Sequence, residues 1–310
     1  MPSIHFLDVT NRDGVQTART GLSKFGKTMV NFYLGKLGVA QSEIGFPFLF
    51  HEVPYVRANL ALAEAGADRV RYCDTIGGDS PERIRERFAK LASGVGVPVE
   101  THCHNDLGMA VANSVSGALG DLDAGQDAWV NTCVNGIGER SGNADLLSCI
   151  LAFRHGFGVA GQAEIGDDLD LSWARRFGLW ASYAFGQPLP QNQPGTGRNA
   201  FAHESGIHAD GALKDRNNYE LYDDEALGPF PADWHARAGR VVLTGEYGGL
   251  AGFRHVMDGL GIDPGEHEEL VFQLVQLCAS ATSKPLTDDE LRLIGAYPRE
   301  LSLLFPGLLS

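Results

Sequence analysis

The sequence has little with which to staple itself or to enter a membrane. Its 310 residues include five cysteines, Cys73, Cys103, Cys133, Cys149 and Cys278. The number is odd, the spacing is wide and none makes a CxxC pair, so no disulfide framework is expected and the thiols are predicted to be buried and reduced. No segment approaches the roughly 18 uninterrupted apolar residues that a membrane helix needs. The first ten residues carry no basic leader followed by an apolar run and a cleavage site, and a cytoplasmic protein is expected. Positive charge is also short: 25 Lys and Arg against 39 Asp and Glu leave a formal charge of −14, so neither nucleic acid nor an anionic membrane is an expected partner. What is present, 44% hydrophobic and 21% charged residues, is ordinary for a globular chain, and the length suits one large domain with an appendage or two domains.

Short β-branched runs alternate with helical patterns through the first half. Strands are predicted at 4–9, 42–46, 69–73, 97–102 and 128–134. Helices are predicted at 23–37, opened by a Ser23 cap, and at 53–65, 81–92, 109–119 and 144–154. This rhythm predicts an α/β fold, a TIM-barrel-like parallel βα domain over residues 1–186. A weaker helical region at 171–185 precedes residues 187–199, whose three Pro, two Gly and three Gln mark a linker or a long ordered loop. Residues 200–310 are expected to form a mostly helical subdomain, with helices at 266–281 and 288–294.

Three motifs follow predicted strands. In Thr101-His102-Cys103-His104-Asn105-Asp106 the two histidines lie at i and i+2, so on a strand both imidazoles project from one face and can reach one divalent ion. The segment Asp8 to Gln16 crowds two carboxylates and an arginine around a glycine turn. In a parallel barrel the strand C-termini share one rim, so Asp13 can join the histidines despite the sequence distance. Residues 135–143, Asn-Gly-Ile-Gly-Glu-Arg-Ser-Gly-Asn, form a glycine-rich turn whose backbone can approach a ligand closely. Asp74-Thr75-Ile76-Gly77 adds a fourth rim turn with a hydroxyl. Each alone reads as an ordinary turn or ion pair; their order after successive strands is the signal.

Together these segments resemble the family of homocitrate synthase, 2-isopropylmalate synthase and citramalate synthase, which shares its metal-dependent barrel with 3-hydroxy-3-methylglutaryl-CoA lyase. The similar text is RDGVQ at 12–16, SEIGFP at 42–47, DTIG at 74–77, HCHNDLGMAVAN at 102–113, VNGIGERSGNADL at 134–146, and AFAHESGIHADGALKDRNNYE at 200–220. The last segment looks like the synthase branch. The resemblance implies that Asp13, His102 and His104 bind Mg²⁺, Mn²⁺ or Zn²⁺, with Asn143 as a further or outer ligand. It implies that Arg12 stabilises a developing alkoxide, and that Thr75 and Gln16, with Gly138, Glu139 and Arg140, line the pocket of a 2-oxo acid. His208 and Tyr219 match an acid/base pair acting on acetyl-CoA in the partner subunit's site, which implies a homodimer. Homocitrate synthase, acting on 2-oxoglutarate, is the first expectation; 2-isopropylmalate, citramalate and citrate synthases are alternatives.

Five predicted strands fall short of the eight of a closed barrel, a deficit of about 90 residues at roughly 30 per βα unit. The junction is placed at 62–67, and an incomplete barrel is expected in which strands 42–46 and 69–73 pair directly. The omitted stretch is one where the family keeps an acidic residue that assists the base and residues that select the 2-oxo acid. Residues 244–249, Thr-Gly-Glu-Tyr-Gly-Gly, replace a Gly-Lys-His-Ser-Gly-like segment. A non-catalytic, metal-binding remnant of the family is therefore a second class of function. A facial-triad iron oxygenase would also use two His and one carboxylate, but the βα context and the GERSGN loop speak against it.

Overall fold

The computed structural model describes residues 2–43, 69–230, 241–282 and 284–305. The chain divides into two compact units, Met1–Gly197 with Glu225–Pro231, and Arg198–Asp224 with Ala232–Ser310.

The first unit is built on strands β1 (Ser3–Asp8), β2 (Gln41–Ser42), β3 (Val70–Asp74), β4 (Val99–Cys103), β5 (Ala128–Thr132) and β6 (Glu164–Ile165). Their order is β2-β1-β5-β4-β3, every pairing is parallel, and β6 adds to β1 at Ser3 and Ile4. Helices α1 (Lys24–Leu37), α2 (Pro81–Val95), α3 (Ala110–Asp123), α4 (Leu146–His155) and α5 (Ala174–Phe185) accompany the sheet. Their starts are written locally. Ser23 accepts a hydrogen bond from Gly26 N at 3.0 Å, Asp145 caps α4 through Ser148 N, and Ser80 followed by Pro81 opens α2, because a short side-chain oxygen satisfies an amide that the first turn leaves unpaired. Gly120 lets α3 lie close to α2, since a Cβ there would sit 2.5 Å from Arg85 O and 2.7 Å from Phe88 Cβ.

Strand β4 shows how the sheet sorts its two faces. Thr101 and Cys103 point toward α3, where Thr101 Cγ2 lies against Gly117, and Cys103 is buried. Glu100 and His102 project from the opposite, inner face, as alternation along a strand requires.

The expected direct pairing of strand 42–46 with strand 69–73 is not formed among the described residues. β2 and β3 are the two ends of the order, and only side chains bridge them: Arg69 donates to Gln41 Oε1 and Arg71 to Glu43 Oε1. Among the described residues the two edges of the sheet thus come within reach of a long side chain, and side-chain hydrogen bonds rather than a backbone ladder join them. Residues 44–46, the helix expected at 53–65 and the junction at 62–67 lie outside the described residues. Strand β6 was not expected; two residues are too short to leave a periodic signal.

Residues 187–197, within the stretch expected as a linker or a long ordered loop, lie within the first unit. Buried Arg175 donates to Gly195 O at 3.2 Å and to Gly228 O, and its guanidinium stacks 4.0 Å from the Phe230 ring. One central cation thereby holds two irregular segments. The thiols are all free, with Cys103, Cys133 and Cys149 buried; Cys73 is exposed and Cys278 half-buried, against the expectation of burial for all five.

The second unit joins parallel strands β7 (Ala202–His203) and β8 (Val241–Val242) to helices α6 (Gly206–Lys214), α7 (Leu250–Gly259), α8 (Glu268–Thr282), α9 (Asp288–Ala296) and α10 (Pro298–Ser302). Its core packs Phe253, Met257, Val271, Leu274, Val275, Ala279, Leu286, Leu291 and Ile294. Helix α9 opens on a capping box between Thr287 and Glu290. The sequence reading missed α6 and α7, whose glycines resemble loop text. In α6 Gly211 is required by contact, because a Cβ there would meet Tyr219 Cε2 at 2.4 Å.

Candidate active site

The sheet brings Asp13, His102 and His104 together, all three buried and each able to place one ligand atom within 4.8 Å of the others. His102 ends the inner face of β4 and His104 follows two residues later, as the i, i+2 spacing implied. Asp13 comes from the turn after β1, where the amides of Arg12, Asp13 and Gly14 all close on Val9 O. His102 Nε2 lies 3.5 Å from Asp13 Oδ2.

Burial alone would raise the Asp13 carboxyl, but the adjoining His102 ring and the Arg12 charge outweigh it and hold it at about 2. His104 is pushed below the usual histidine range by burial first and by its neighbour His102 second, so a neutral imidazole with a free lone pair is favoured. His104 Nδ1 and both amide atoms of Asn143 are buried without a hydrogen-bond partner. Two imidazoles, one ionised carboxylate and unsatisfied polar atoms form a mixed N/O donor set that fits a divalent cation.

Arg12 sits between two carboxylates, with Nη1 2.7 Å from Asp13 Oδ2 and Nε 2.9 Å from Glu43 Oε2. The 134–143 loop closes over Asp13: Glu139 N donates to Asp13 Oδ1 at 3.3 Å, while the Glu139 side chain is exposed. Gly138 permits this approach, because a Cβ there would fall 2.0 Å from Asn143 Oδ1. Arg140 adopts a positive φ of 58°, makes a two-pronged pair with Asp106 at 2.9 Å and donates to Thr75 O at 2.5 Å. It therefore ties three rim turns together. Thr75 is exposed and Gln16 half-buried. Asp8, the other carboxylate of the first turn, takes no part in the triad. It accepts from Thr10 N and Oγ1, and burial pushes it up to about 7 against those hydrogen bonds.

Beneath the triad lies a network that motif reading missed. His102 Nδ1 meets Asn131 Oδ1 at 2.9 Å, Asn131 Nδ2 donates to Glu100 Oε1 at 2.8 Å, and Glu100 accepts from Arg69 Nε at 2.9 Å and Arg71 Nε at 2.5 Å. Arg71 continues to Glu43, which returns to Arg12 and Asp13. The signal was present as period-two spacing: Arg69, Arg71 and Cys73, then Glu100, His102 and His104, then Trp129 and Asn131.

His208 and Tyr219 belong to the second unit, with ring centroids 4.6 Å apart. His208 is exposed and Tyr219 is 44% exposed, so both are open to a ligand.

Residues 51–172 match the HMGL-like family and residues 196–277 the homocitrate synthase post-HMGL domain-like family. The chain is 39% identical to a citrate (Re)-synthase of Dehalococcoides mccartyi, with 99% of each chain covered. That alignment runs over 412 positions where this chain has 310 residues, so about 100 of them pass over a gap here, in keeping with the expected internal omission. It is 35% identical to 2-isopropylmalate synthase 2 of Caldanaerobacter subterraneus over 74% of this chain and 54% of that one, and 34% identical to an (R)-citramalate synthase of Methanocaldococcus jannaschii over 66% and 38%. An HMG-CoA lyase from Bacillus subtilis superposes with a TM-score of 0.49 at 16% identity, covering 61% of this chain and 97% of the lyase. With its histidine pair, acidic turn and glycine loop in the family's order, the chain belongs to the HMGL-like family of 2-oxo acid synthases that includes the citrate (Re)-, 2-isopropylmalate and citramalate synthases.

Proposed function

We propose that this chain condenses acetyl-CoA with a dicarboxylic 2-oxo acid and hydrolyses the resulting thioester. The observation that carries this reading is the convergence of Asp13, His102 and His104 with Arg12 bound to Asp13. Asp13, His102 and His104 would hold a divalent cation there, which would supply Lewis acidity toward the 2-oxo acid. Around it, the chain's own groups have separate tasks. Arg12 uses Nη1 and Nε on Asp13 and Glu43, which leaves its Nη2 to donate to the alkoxide that develops as the new carbon–carbon bond forms, a charge present mainly in the transition state. The Thr75 hydroxyl and Gln16 orient the substrate carboxylate. Backbone amides of Gly138 and Glu139, with Arg140, bound the rim. His208 and Tyr219 act as the acid/base pair: one removes a methyl proton from acetyl-CoA and the other donates to the thioester oxygen. Water then cleaves the thioester, giving a carboxylate and the CoA thiol.

Both acid/base residues are exposed, which supports their service to a second copy of the chain in a homodimer. Coexpressed Asp13→Ala and His208→Ala chains would then regain activity as a heterodimer. A verified heterodimer without activity would place each site within one chain.

Similarity along both full lengths to a citrate (Re)-synthase supports oxaloacetate as the 2-oxo acid. The post-HMGL match at 196–277 supports 2-oxoglutarate, hence homocitrate, as the next choice. The gap of about 100 positions favours a second reading, a metal-binding family member without turnover. Thiol release from acetyl-CoA, measured with oxaloacetate, 2-oxoglutarate, 2-oxoisovalerate and pyruvate before and after chelation, separates them. The proposed function expects chelator-sensitive release with a dicarboxylic acid. No release with any acid, from protein that still binds Mn²⁺, would establish the second reading.

A further inference from the structure

We infer that Asn131 and Glu100 are positioning residues that fix the tautomer of His102 and thereby keep its Nε2 lone pair ready for a cation. The inference rests on the metal-site reading above and adds two residues to it.

A neutral imidazole carries one proton on either nitrogen, and only the bare nitrogen can be a ligand. The order of atoms beneath His102 decides which. Glu100 is 2% exposed and receives the Nε–H groups of Arg69 and Arg71, so its oxygens act as acceptors. The group facing Glu100 Oε1 at 2.8 Å must therefore be a donor, and on Asn131 that is the Nδ2 amide. With the nitrogen committed, the Asn131 oxygen is turned to His102 Nδ1 at 2.9 Å. An acceptor there requires Nδ1–H, and the lone pair is left on Nε2, the atom that faces Asp13 Oδ2 at 3.5 Å.

Asn131 is itself held: its backbone N–H donates to Thr101 Oγ1 at 3.2 Å, and it is 1% exposed on the inner face of β5. An amide in a free position could rotate by half a turn and present its NH₂ to His102, which would favour the opposite tautomer. Here the rotation would set a carbonyl oxygen against a carboxylate. The two arginines thus act on His102 at two removes, through Glu100 and then Asn131. His104 differs, since its Nδ1 has no such partner.

The test reads the metal-free protein first. With ¹⁵N-labelled histidine and His102 assigned through the His102→Ala variant, long-range ¹H–¹⁵N spectra at mildly alkaline pH report the tautomer directly. The Nδ1–H form is expected in the parent protein. Asn131→Leu is expected to abolish that preference and to weaken Mn²⁺ binding by about 10–100-fold, the usual consequence of removing a ligand's outer partner. Glu100→Gln, which is nearly isosteric and allows the Asn131 amide to turn, is expected to move the tautomer in the same direction and serves if the leucine variant does not fold. An Nε2–H form in the parent protein, or an unchanged Nδ1–H form in a folded variant, overturns the inference. Mn²⁺ affinity unaltered by His102→Ala would instead refute the metal-site reading, and the tautomer spectra would still decide the roles of Asn131 and Glu100.

Discussion

The inner face of the first unit and the core of the second are made of opposite materials. From buried Glu100, Asn131, His102 and Asp13 the first unit extends a ring of charges and amides that passes through half-buried Arg12 and Glu43 and exposed Arg71. The second unit fills the corresponding space with Phe253, Met257, Leu274, Val275 and Leu291. Apolar burial stabilises with little demand on geometry, at about 25 cal/mol per Å². Buried charges tolerate no such looseness, because each loses hydration and recovers it only through well-aligned partners. Such a ring suits a place where donor atoms must be held in fixed orientation, and it includes Asp13 and His102 of the proposed metal site. The contrast teaches that donor geometry and apolar packing are supplied by different sets of residues, although the first unit also carries an apolar core of its own around Phe6, Ile84, Phe88 and Ile150.

Substitutions can break that division. The largest effect is expected at the ligands: His102→Ala or His104→Ala should abolish stoichiometric divalent-metal binding, measured by elemental analysis and Mn²⁺ titration, and remove turnover with it. Metal retained in both variants would mean that the ring serves another purpose. Next, Arg12→Lys keeps the charge but loses the planar fork that joins Asp13 to Glu43. It should lower kcat by about 10²–10³-fold, with the KM for the 2-oxo acid changed far less; steady-state kinetics near the parent kcat would remove Arg12 from the chemistry.

The converse substitution belongs to the second unit. Leu274→Ala should cost about 2–5 kcal/mol by opening a cavity in a fully buried cluster, read as a lower urea midpoint, while Mn²⁺ affinity stays unchanged. A parallel fall in metal affinity would show that the two units do not divide the work.

The smallest effect concerns Asp121, which accepts from Val99 N at 3.1 Å while its Oδ2 has no partner. Burial pushes this carboxyl up to about 8, whereas in the unfolded chain it titrates near about 4. Between those values the native state holds the extra proton, so stability falls as pH rises through the interval and levels off above it. Asp121→Asn should flatten this slope and gain about 1–2 kcal/mol at pH 8 relative to pH 5, measured by urea unfolding at the two pH values. An identical slope in the variant would assign the pH dependence to another group.

Much of this is legible in the sequence alone. The βα alternation, the Ser23 cap and the rim turns follow from spacings of a few residues, and the i, i+2 histidines share a face because a strand alternates its side chains. Tyr219 and Gly211 were harder to read: the glycines of α6 read as a loop until the ring that fills their space is known. The exposure of Cys73 was likewise hidden, since an edge strand and a central strand carry the same local pattern.

The sequence by itself determined which way each side chain points from its strand, because backbone geometry sets that within two or three residues. It did not determine what faces that side chain. Asn131 lies 29 positions from His102, and Arg71 lies 28 from Glu43. Those meetings depend on the order β2-β1-β5-β4-β3 and on the approach of β2 to β3. Strand order is settled by the combined burial and pairing of distant segments, which no local window of sequence contains. The histidine pair could therefore be read from its spacing and Asp13 from its place on the same rim, while the groups that face them became visible only when the sheet was assembled.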